Sequence, residues 1–256
     1  MGTEELSLCV CVIGQNVAPR LGPLLSQASA IASEIVFVDG GSQDQTADVV
    51  GRYPNVRLVH RPFDGNFAKQ KNFALAQSRS AWNLVLDTDE LLGPNFLCLL
   101  PALLRSRFHG FHIPRYWLAQ ETPPLYVCSE KHYPDRQHRL FRNRPELRYD
   151  ENRPVHEAIP RESRGPCLSL KSAHLLHYCF LWEDREARAG KVARYLQANP
   201  SPINQVYLYE EFPHRLRPCR EAIVSGRPVG GSALACGFDR ARLWLKNPAQ
   251  AAPVLK

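Results

Sequence analysis

Two kinds of hydrophobic pattern alternate along the first hundred residues. Nearly continuous apolar runs, typical of strands covered on both faces, occur at 6–13, 34–39, 56–60 and 82–87. Segments with a helix-forming pattern separate these runs, at 19–32, about 44–52 and 66–78, and a leucine-rich helix is expected after Pro94. Strands and helices that alternate at this spacing predict βαβ units with right-handed crossovers and a parallel sheet.

The middle of the chain, from about residue 110 to 171, is rich in Arg, Pro, Tyr and His. The alternation in Gln137–Arg142 predicts an antiparallel strand, and a second alternating segment near Cys167–Leu176 is expected to pair with it. Trp182–Ala198 is predicted to be one helix with Arg, Lys and Glu on its outer side. Residues 225–232 have the composition of a linker.

The charge of the chain is concentrated in its second half. The 256 residues carry a net charge of +7, with a balance of −1 over residues 1–128 and +8 over residues 129–256. An uneven balance of this kind predicts that the second half meets an anionic partner, such as a phosphorylated glycan, a lipid headgroup or nucleic acid. A basic face that is merely solvated is the alternative. An apolar content of 44% excludes a disordered chain.

The chain is expected to be intracellular. No apolar stretch approaches the roughly 18 residues that a membrane span requires, and the acidic start at residues 1–7 does not resemble a secretory signal. The eight cysteines contain no CxxC pair. Without an export signal they are expected to be reduced and to carry no function.

Two of the predicted strands end in an aspartate. Asp39 leads into a Gly-Gly-Ser turn, and Asp87 begins the sequence Asp87-Thr-Asp89-Glu90. Ligands of open parallel sheets bind at the carboxyl ends of the strands. Two carboxylates at that edge suit Mg²⁺ or Mn²⁺, with the phosphates of a nucleoside diphosphate completing the coordination. A solvated acidic turn that caps the next helix is the alternative for Asp87 and Asp89.

Six segments, taken in order, resemble the family 2 glycosyltransferases, which have the GT-A fold. The likeness is to the bacterial lipopolysaccharide-core glucosyltransferases, and it spans about residues 6–180. The segments that carry it are 34–46, 60–65, 70–75, 86–90, 133–142 and 155–157. The resemblance implies a mostly parallel central sheet flanked by helices, with a small antiparallel and helical C-terminal part.

The resemblance also assigns roles to residues of the donor site. It implies that Asp39 contacts the nucleoside, usually uridine, and that Lys71 meets the diphosphate. Asp87 and Asp89 are expected to bind the diphosphate through Mg²⁺ or Mn²⁺, with Asp87 near the ribose and phosphate and Asp89 as the direct ligand. After the first strand the family usually has an element that helps to hold the nucleotide. This chain keeps Asn16 there but lacks the acidic residue beside it.

Members of the family invert the anomeric centre, so one carboxylate must accept the proton of the attacking hydroxyl. By the resemblance, Glu157 in Val155-His-Glu157 is the first candidate for this base, with Asp135 and Asp184 as alternatives. His156 or His177 is a candidate to complete the metal shell, although a hydrogen-bonded structural histidine is the ordinary alternative.

The expected function is the transfer of a hexose from a nucleotide sugar, which the resemblance implies to be UDP-linked, to a saccharide acceptor. The acceptor is expected to belong to a lipid-linked or cell-envelope glycan. The expected organisation is a nucleotide-sugar-binding half over residues 1–108, an acceptor-binding half over residues 109–200 and a helical extension over residues 201–256. The protein is expected to be cytoplasmic. Residues 240–246 are a candidate for a peripheral contact with a membrane, and a plain packing helix is the alternative that is favoured for so short a segment.

Two other functions are compatible with parts of the sequence. A nucleotidyltransferase uses a similar carboxylate–metal site, but it would need a basic, glycine-rich triphosphate loop that residues 14–16 do not supply. A non-catalytic module that binds glycan or nucleic acid is the second alternative. Because no nucleic-acid motif is present, nucleic acid is not an expected partner.

Overall fold

The computed structural model describes residues 6–221, and four parallel strands form the centre of its main sheet. They are β1 (Leu8–Gly14), β2 (Glu34–Asp39), β3 (Val56–His60) and β4 (Trp82–Leu86). Their spatial order is β3-β2-β1-β4. All four predicted strands are confirmed, within one or two residues at each end.

Helices cover both faces of this parallel part, as predicted. They are α1 (Ala18–Ile31), α2 (Thr46–Val50), α3 (Phe67–Gln77) and α4 (Pro94–Leu104). The side chain of Asn66 caps α3 by accepting a hydrogen bond from the backbone N–H of Lys69 at 3.0 Å. Side chains of β1 alternate between two cores: Leu8, Val10 and Val12 pack into one, whereas Cys9, Cys11 and Ile13 pack into the other.

The second half extends the sheet with antiparallel and mixed strands. They are β5 (Glu90–Leu92), β6 (Gly110–Glu121), β7 (Pro124–Cys128), β8 (Asp135–Arg142), β9 (Cys167–Ser169), β10 (Leu175–His177) and β11 (Arg215–Pro218). The predicted antiparallel strand at 137–142 is confirmed as β8, which pairs with β4 on one side and β6 on the other. The predicted partner of β8 at 167–176 is wrong. Because both edges of β8 are occupied, β9 pairs with β6 and β10 pairs with β5 and β6.

The predicted helix at 182–198 is divided in two. A short helix α5 (Cys179–Trp182) ends at Glu183, which has extended dihedrals, and α6 (Arg185–Ala198) begins after it. Asp184 caps α6 by accepting a hydrogen bond from the backbone N–H of Ala187 at 2.8 Å. The N-cap requires a non-helical backbone at Asp184, and this interrupts the helix.

Two basic side chains of α6 face inward rather than outward, which corrects the prediction for this helix. Arg188 is buried and forms an ion pair with Glu210. Lys191 forms an ion pair with Glu183 at 2.7 Å. Burial of these cations is tolerated because each has a carboxylate partner.

After α6 the described chain forms two 3₁₀ turns, at 202–207 and 209–211, before β11 pairs with β7. The predicted linker at 225–232, the segment at 240–246 and most of the extension at 201–256 lie outside the described residues. Within residues 6–221, none of the helices has the length and apolar character needed to cross a membrane.

Candidate active site

A cleft of about 430 Å³ opens at the carboxyl ends of β1 and β4. Seven residues singled out in the sequence line it, and the four with roles at the donor site or as the first candidate base are Lys71, Asp87, Asp89 and Glu157. Lys71 comes from α3, the two aspartates follow β4, and Glu157 comes from the loop after β8. The cleft lies where ligands of parallel sheets bind.

One half of the cleft is built around Asp87. Its Oδ1 lies 2.7 Å from Nζ of Lys71, and its Oδ2 contacts Arg139. Lys71 is only 2% exposed and also contacts Oε1 of Glu157, so one ammonium group joins two carboxylates. Burial alone would raise the pKa of Asp87, but Arg139 and Lys71 outweigh it and hold that pKa well below its usual range.

Arg139 is also held by a largely buried network of charged residues. Glu90 is fully buried and accepts hydrogen bonds from Arg115 at 2.7 Å and from Arg139 at 3.0 Å. Arg115 also donates through Nε to Asp135 at 2.8 Å, and Trp117 donates to the same carboxylate at 2.9 Å. Arg115 and Arg139 are therefore fixed in position before any ligand arrives.

The other half of the cleft is built around Asp89. Its Oδ2 lies 3.3 Å from Nε2 of His177, which is at the end of β10. Burial would raise the pKa of Asp89, but His177, Lys191 and Arg115 together hold it well below its usual range. Lys191 is itself paired with Glu183, which also accepts a hydrogen bond from Arg20 at 2.8 Å.

The Asp89 half has a donor set that suits a divalent cation. A carboxylate oxygen and an imidazole nitrogen face each other there, and both are ligands that Mn²⁺ accepts. Nδ1 of His177 is buried and has no hydrogen-bond partner within the described part of the chain. By contrast, both oxygens of Asp87 already contact cations.

Asp39 and Asn16 lie at neighbouring strand ends, outside the residues that line the cleft. Asp39 is 4% exposed, accepts a hydrogen bond from the backbone N–H of Ser42 at 3.1 Å and faces Nδ1 of His60 at 3.1 Å. Asn16 has a left-handed backbone (φ +54°), and its Oδ1 accepts from the backbone N–H of Gln43 at 2.8 Å. Both residues thus shape the turn after β2.

The remaining candidates from the sequence occupy different positions. His177 and His156 line the cleft, but Nε2 of His156 contacts Asn204, and its backbone is left-handed (φ +52°). Asp135 also lines the cleft, with its oxygens engaged by the neighbours described above. Asp184 is the N-cap of α6 and does not line the cleft.

Sequence reasoning gave no role to several residues that shape the site. Arg139 and Glu90 lie within the segments that carry the family resemblance, and this location could have marked them as candidate site residues. Lys191 and Tyr195 lie four residues apart on α6, a spacing that places them on one helix face. Nothing in the sequence pattern marked Arg115 as a site residue, because it lies in β6, a strand that the pattern did not predict.

Comparisons with known proteins identify the family to which the chain belongs. A family model described as Glycosyl transferase family 2 matches residues 9–160. The chain is 33% identical over 182 residues to the lipopolysaccharide core biosynthesis glycosyltransferase LpsC of Rhizobium meliloti (strain 1021), covering 68% of this chain and 64% of that protein. It is 29% identical over 160 residues to a TPR repeat-containing protein of Synechococcus elongatus, covering 62% of this chain and 37% of that protein. Each match thus spans less than two thirds of the relative.

Among solved structures, the fold is similar to that of the mannosyltransferase PcManGT from Pyrobaculum calidifontis in complex with GDP-Man and Mn²⁺. The TM-score is 0.52 and the identity 15%, covering 95% of this chain and 75% of that chain. At this identity the likeness concerns the fold alone, which is that of the GT-A glycosyltransferases. The chain belongs to glycosyl transferase family 2, since the family model matches more than half of its length. The expected family, fold and enzyme class are confirmed.

Proposed function

We propose that this chain is a metal-dependent, inverting glycosyltransferase that moves a hexose from a UDP-linked sugar to a saccharide of a lipid-linked or cell-envelope glycan. The observation that carries the proposal is that Asp87, Asp89 and Glu157 line one cleft. Buried Lys71 contacts Asp87 and Glu157 there, and His177 faces Asp89. The name of the relative LpsC supports the choice of acceptor class. A peripheral contact with a membrane remains a prediction from the charge pattern.

In this proposal Asp89 and His177 hold Mn²⁺ or Mg²⁺, and Asp87 stays beside them with Lys71 and Arg139. When bound, the metal ion would neutralise charge on the departing diphosphate. Lys191 lies near Asp89 and adds positive charge to the same wall. We propose that Asp39 and Asn16, at the ends of β2 and β1, contact the nucleoside, as the family resemblance implies.

Glu157 is the proposed base. The acceptor hydroxyl would pass its proton to a carboxylate oxygen of Glu157 as the hydroxyl oxygen attacks the sugar carbon. Glu157 lines the cleft, and the contact between its Oε1 and Lys71 holds the carboxylate there. Asp135 is less suited because Arg115, Trp117 and Gln137 donate to its oxygens, and Asp184 caps a helix.

Aromatic side chains on the wall of the cleft support a saccharide acceptor. They are Phe67, Trp117, Tyr195 and Tyr207. Ring centroids are 5.9 Å apart for Phe67 and Tyr195, 5.8 Å for Tyr195 and Tyr207, and 5.4 Å for Trp117 and Tyr207. Flat apolar rings with a polar edge suit the apolar face of a sugar ring and its hydroxyls.

The test is the metal-dependent hydrolysis of a panel of UDP-, GDP-, CDP- and dTDP-sugars, measured by release of the nucleoside diphosphate. We expect release from a UDP-hexose in the presence of Mn²⁺, and loss of release in the Asp89→Ala variant. The matched control is Asp48→Ala, which changes an exposed aspartate of α2 and is expected to behave as wild type. Absence of both nucleotide binding and release for every donor would contradict the proposal.

A further inference from the structure

Two histidines and a cysteine converge on the sheet at a place separate from the cleft. They are His112 on β6, His138 on β8 and Cys167 on β9, and their candidate ligand atoms all lie within 4.8 Å of one another. Sγ of Cys167 is 3.5 Å from Nε2 of His138, and the two imidazole centroids are 4.8 Å apart. None of the three lines the cleft that contains Asp87 and Asp89.

Strand pairing brings these side chains together. His112 and His138 are direct partners across β6 and β8, immediately after a register shift that follows Phe111. Cys167 is the partner of Gly110 in the parallel pair of β9 and β6. A Cβ atom at Gly110 would collide with Nε2 of His138, so the glycine makes the space through which this imidazole reaches the thiol.

The imidazole of His138 lacks ordinary hydrogen-bond partners. Its Nδ1 is buried and unpaired among residues 6–221, and its Nε2 faces the sulfur of Cys167, a weak partner. Burying such a ring without compensation is unfavourable. Coordination of a cation by Nε2 would replace this weak contact with a strong one.

The surroundings indicate which kind of ion would be accepted. A pocket of about 380 Å³ gives access to His112 and Cys167, and Arg136, Arg161 and Arg164 also line it. These guanidinium groups disfavour a bare dication. Burial raises the pKa of the Cys167 thiol, and Arg164 opposes this only in part, so a bound metal ion must displace the thiol proton. One thiolate and two imidazoles are ligands for thiophilic ions such as Zn²⁺ or Cu⁺, whereas Mg²⁺ prefers oxygen.

We propose that His112, His138 and Cys167 form a second metal site, which binds a thiophilic transition-metal ion of the Zn²⁺ class with one coordination position open to the pocket. Binding releases the thiol proton of Cys167 to solvent. The site ties β6, β8 and β9 together and does not depend on the proposed glycosyl transfer. It makes Cys167 an exception to the expectation that the cysteines carry no function.

The test uses Co²⁺ as a spectroscopic substitute for Zn²⁺, added to the full chain carrying Asp89→Ala so that the cleft does not contribute. We expect one equivalent of Co²⁺ to produce a thiolate-to-cobalt charge-transfer band that Zn²⁺ abolishes. Cys167→Ser should remove the band, and His138→Ala should weaken Co²⁺ binding at least about 100-fold, more than loss of an outer-shell partner costs. Cys98→Ser, at another half-buried cysteine, and Cys179→Ser, near Asp89, should leave the band intact.

A second measurement needs no variant and so does not depend on folding of the substituted chains. The rate at which iodoacetamide alkylates each cysteine of the unaltered protein is followed by peptide mass spectrometry, with and without Zn²⁺. We expect Zn²⁺ to slow alkylation of Cys167 at least about 10-fold and to leave Cys98 unchanged. The proposal is overturned if Zn²⁺ does not protect Cys167, or if the cobalt band is absent or persists in Cys167→Ser.

Discussion

The two carboxylates of the Asp-x-Asp pair stand two residues apart, yet they belong to differently built halves of the cleft. Asp87 contacts Lys71 and Arg139, which both lie within the residues 9–160 that match the family model. Asp89 faces His177 and has Lys191 nearby. His177 and Lys191 come from the chain beyond that match.

The different surroundings of Asp87 and Asp89 indicate different roles for the two carboxylates. Around Asp87 the charges are already balanced, since two cations neutralise the carboxylate and Lys71 reaches on to Glu157. Around Asp89 the facing group is an imidazole, which leaves the carboxylate able to take a metal ion. In the Asp87 half, the ion pairs therefore hold Lys71 and the proposed base Glu157 in position. The Asp89 half is the proposed metal site.

The largest effect is expected for Glu157→Gln. This change removes the proposed base while keeping the size of the side chain, so kcat should fall about 1,000-fold while the affinity for UDP stays the same. Steady-state kinetics and UDP titration measure the two quantities. Glu162→Gln, at an exposed glutamate of the same loop, is the matched control. A kcat within threefold of wild type would exclude Glu157 as the base.

A large loss of stability is expected for Lys71→Met. The change leaves Asp87 and Glu157 without their shared cation, and removing one partner of a buried ion pair costs about 3 kcal/mol or more. The free energy of unfolding in urea measures this. Lys69→Met lies on the same helix at an exposed position and should change stability by less than about 0.5 kcal/mol. Equal effects of the two changes would contradict the role given to Lys71.

A smaller effect concerns pH. The pKa of Asp89 is lower in the folded chain than in the unfolded chain, so its contribution to stability is complete above about pH 4 and is lost as the pH falls. Between pH 5 and pH 3 this single group should cost about 1 kcal/mol of stability. Urea unfolding across this range should therefore show a flatter pH dependence for Asp89→Asn than for wild type. Parallel curves would mean that Asp89 is not stabilised as an anion.

The smallest effect is expected for the outer ion pair of Arg20 and Glu183. About one third of the Arg20 side chain is exposed, so solvent screens the pair and its coupling energy should be below about 1 kcal/mol. A double-mutant cycle with Arg20→Gln and Glu183→Gln measures the coupling. A coupling above about 2 kcal/mol would show that Arg20 belongs to the tightly held part of the Asp89 half.

The parallel part of the fold was predictable because each of its strands is a continuous apolar run that ends at a polar residue, as at Asp39 and Asp87. The partners of the site were harder to predict. Lys71 meets Glu157 across 86 positions of sequence, and no local pattern encodes such a contact. Lys191 has the sequence context of an exposed helical lysine, and its ion pair with Glu183 and its attraction to Asp89, which is distant in sequence, explain why it faces inward. The position of β9 was missed because strand pairing depends on which edges remain open.

The central claim is that the Asp89 half, and not the Asp87 half, binds the metal ion. The most direct test is Mn²⁺ binding to the UDP-saturated protein, measured by the electron paramagnetic resonance signal of free Mn²⁺. We predict that Asp89→Asn and His177→Ala weaken Mn²⁺ binding at least about 10-fold. Asp87→Asn and His156→Asn, the latter chosen because Asn tolerates a positive φ, should bind as wild type does. Wild-type affinity in His177→Ala, or loss of binding in Asp87→Asn alone, would contradict the claim.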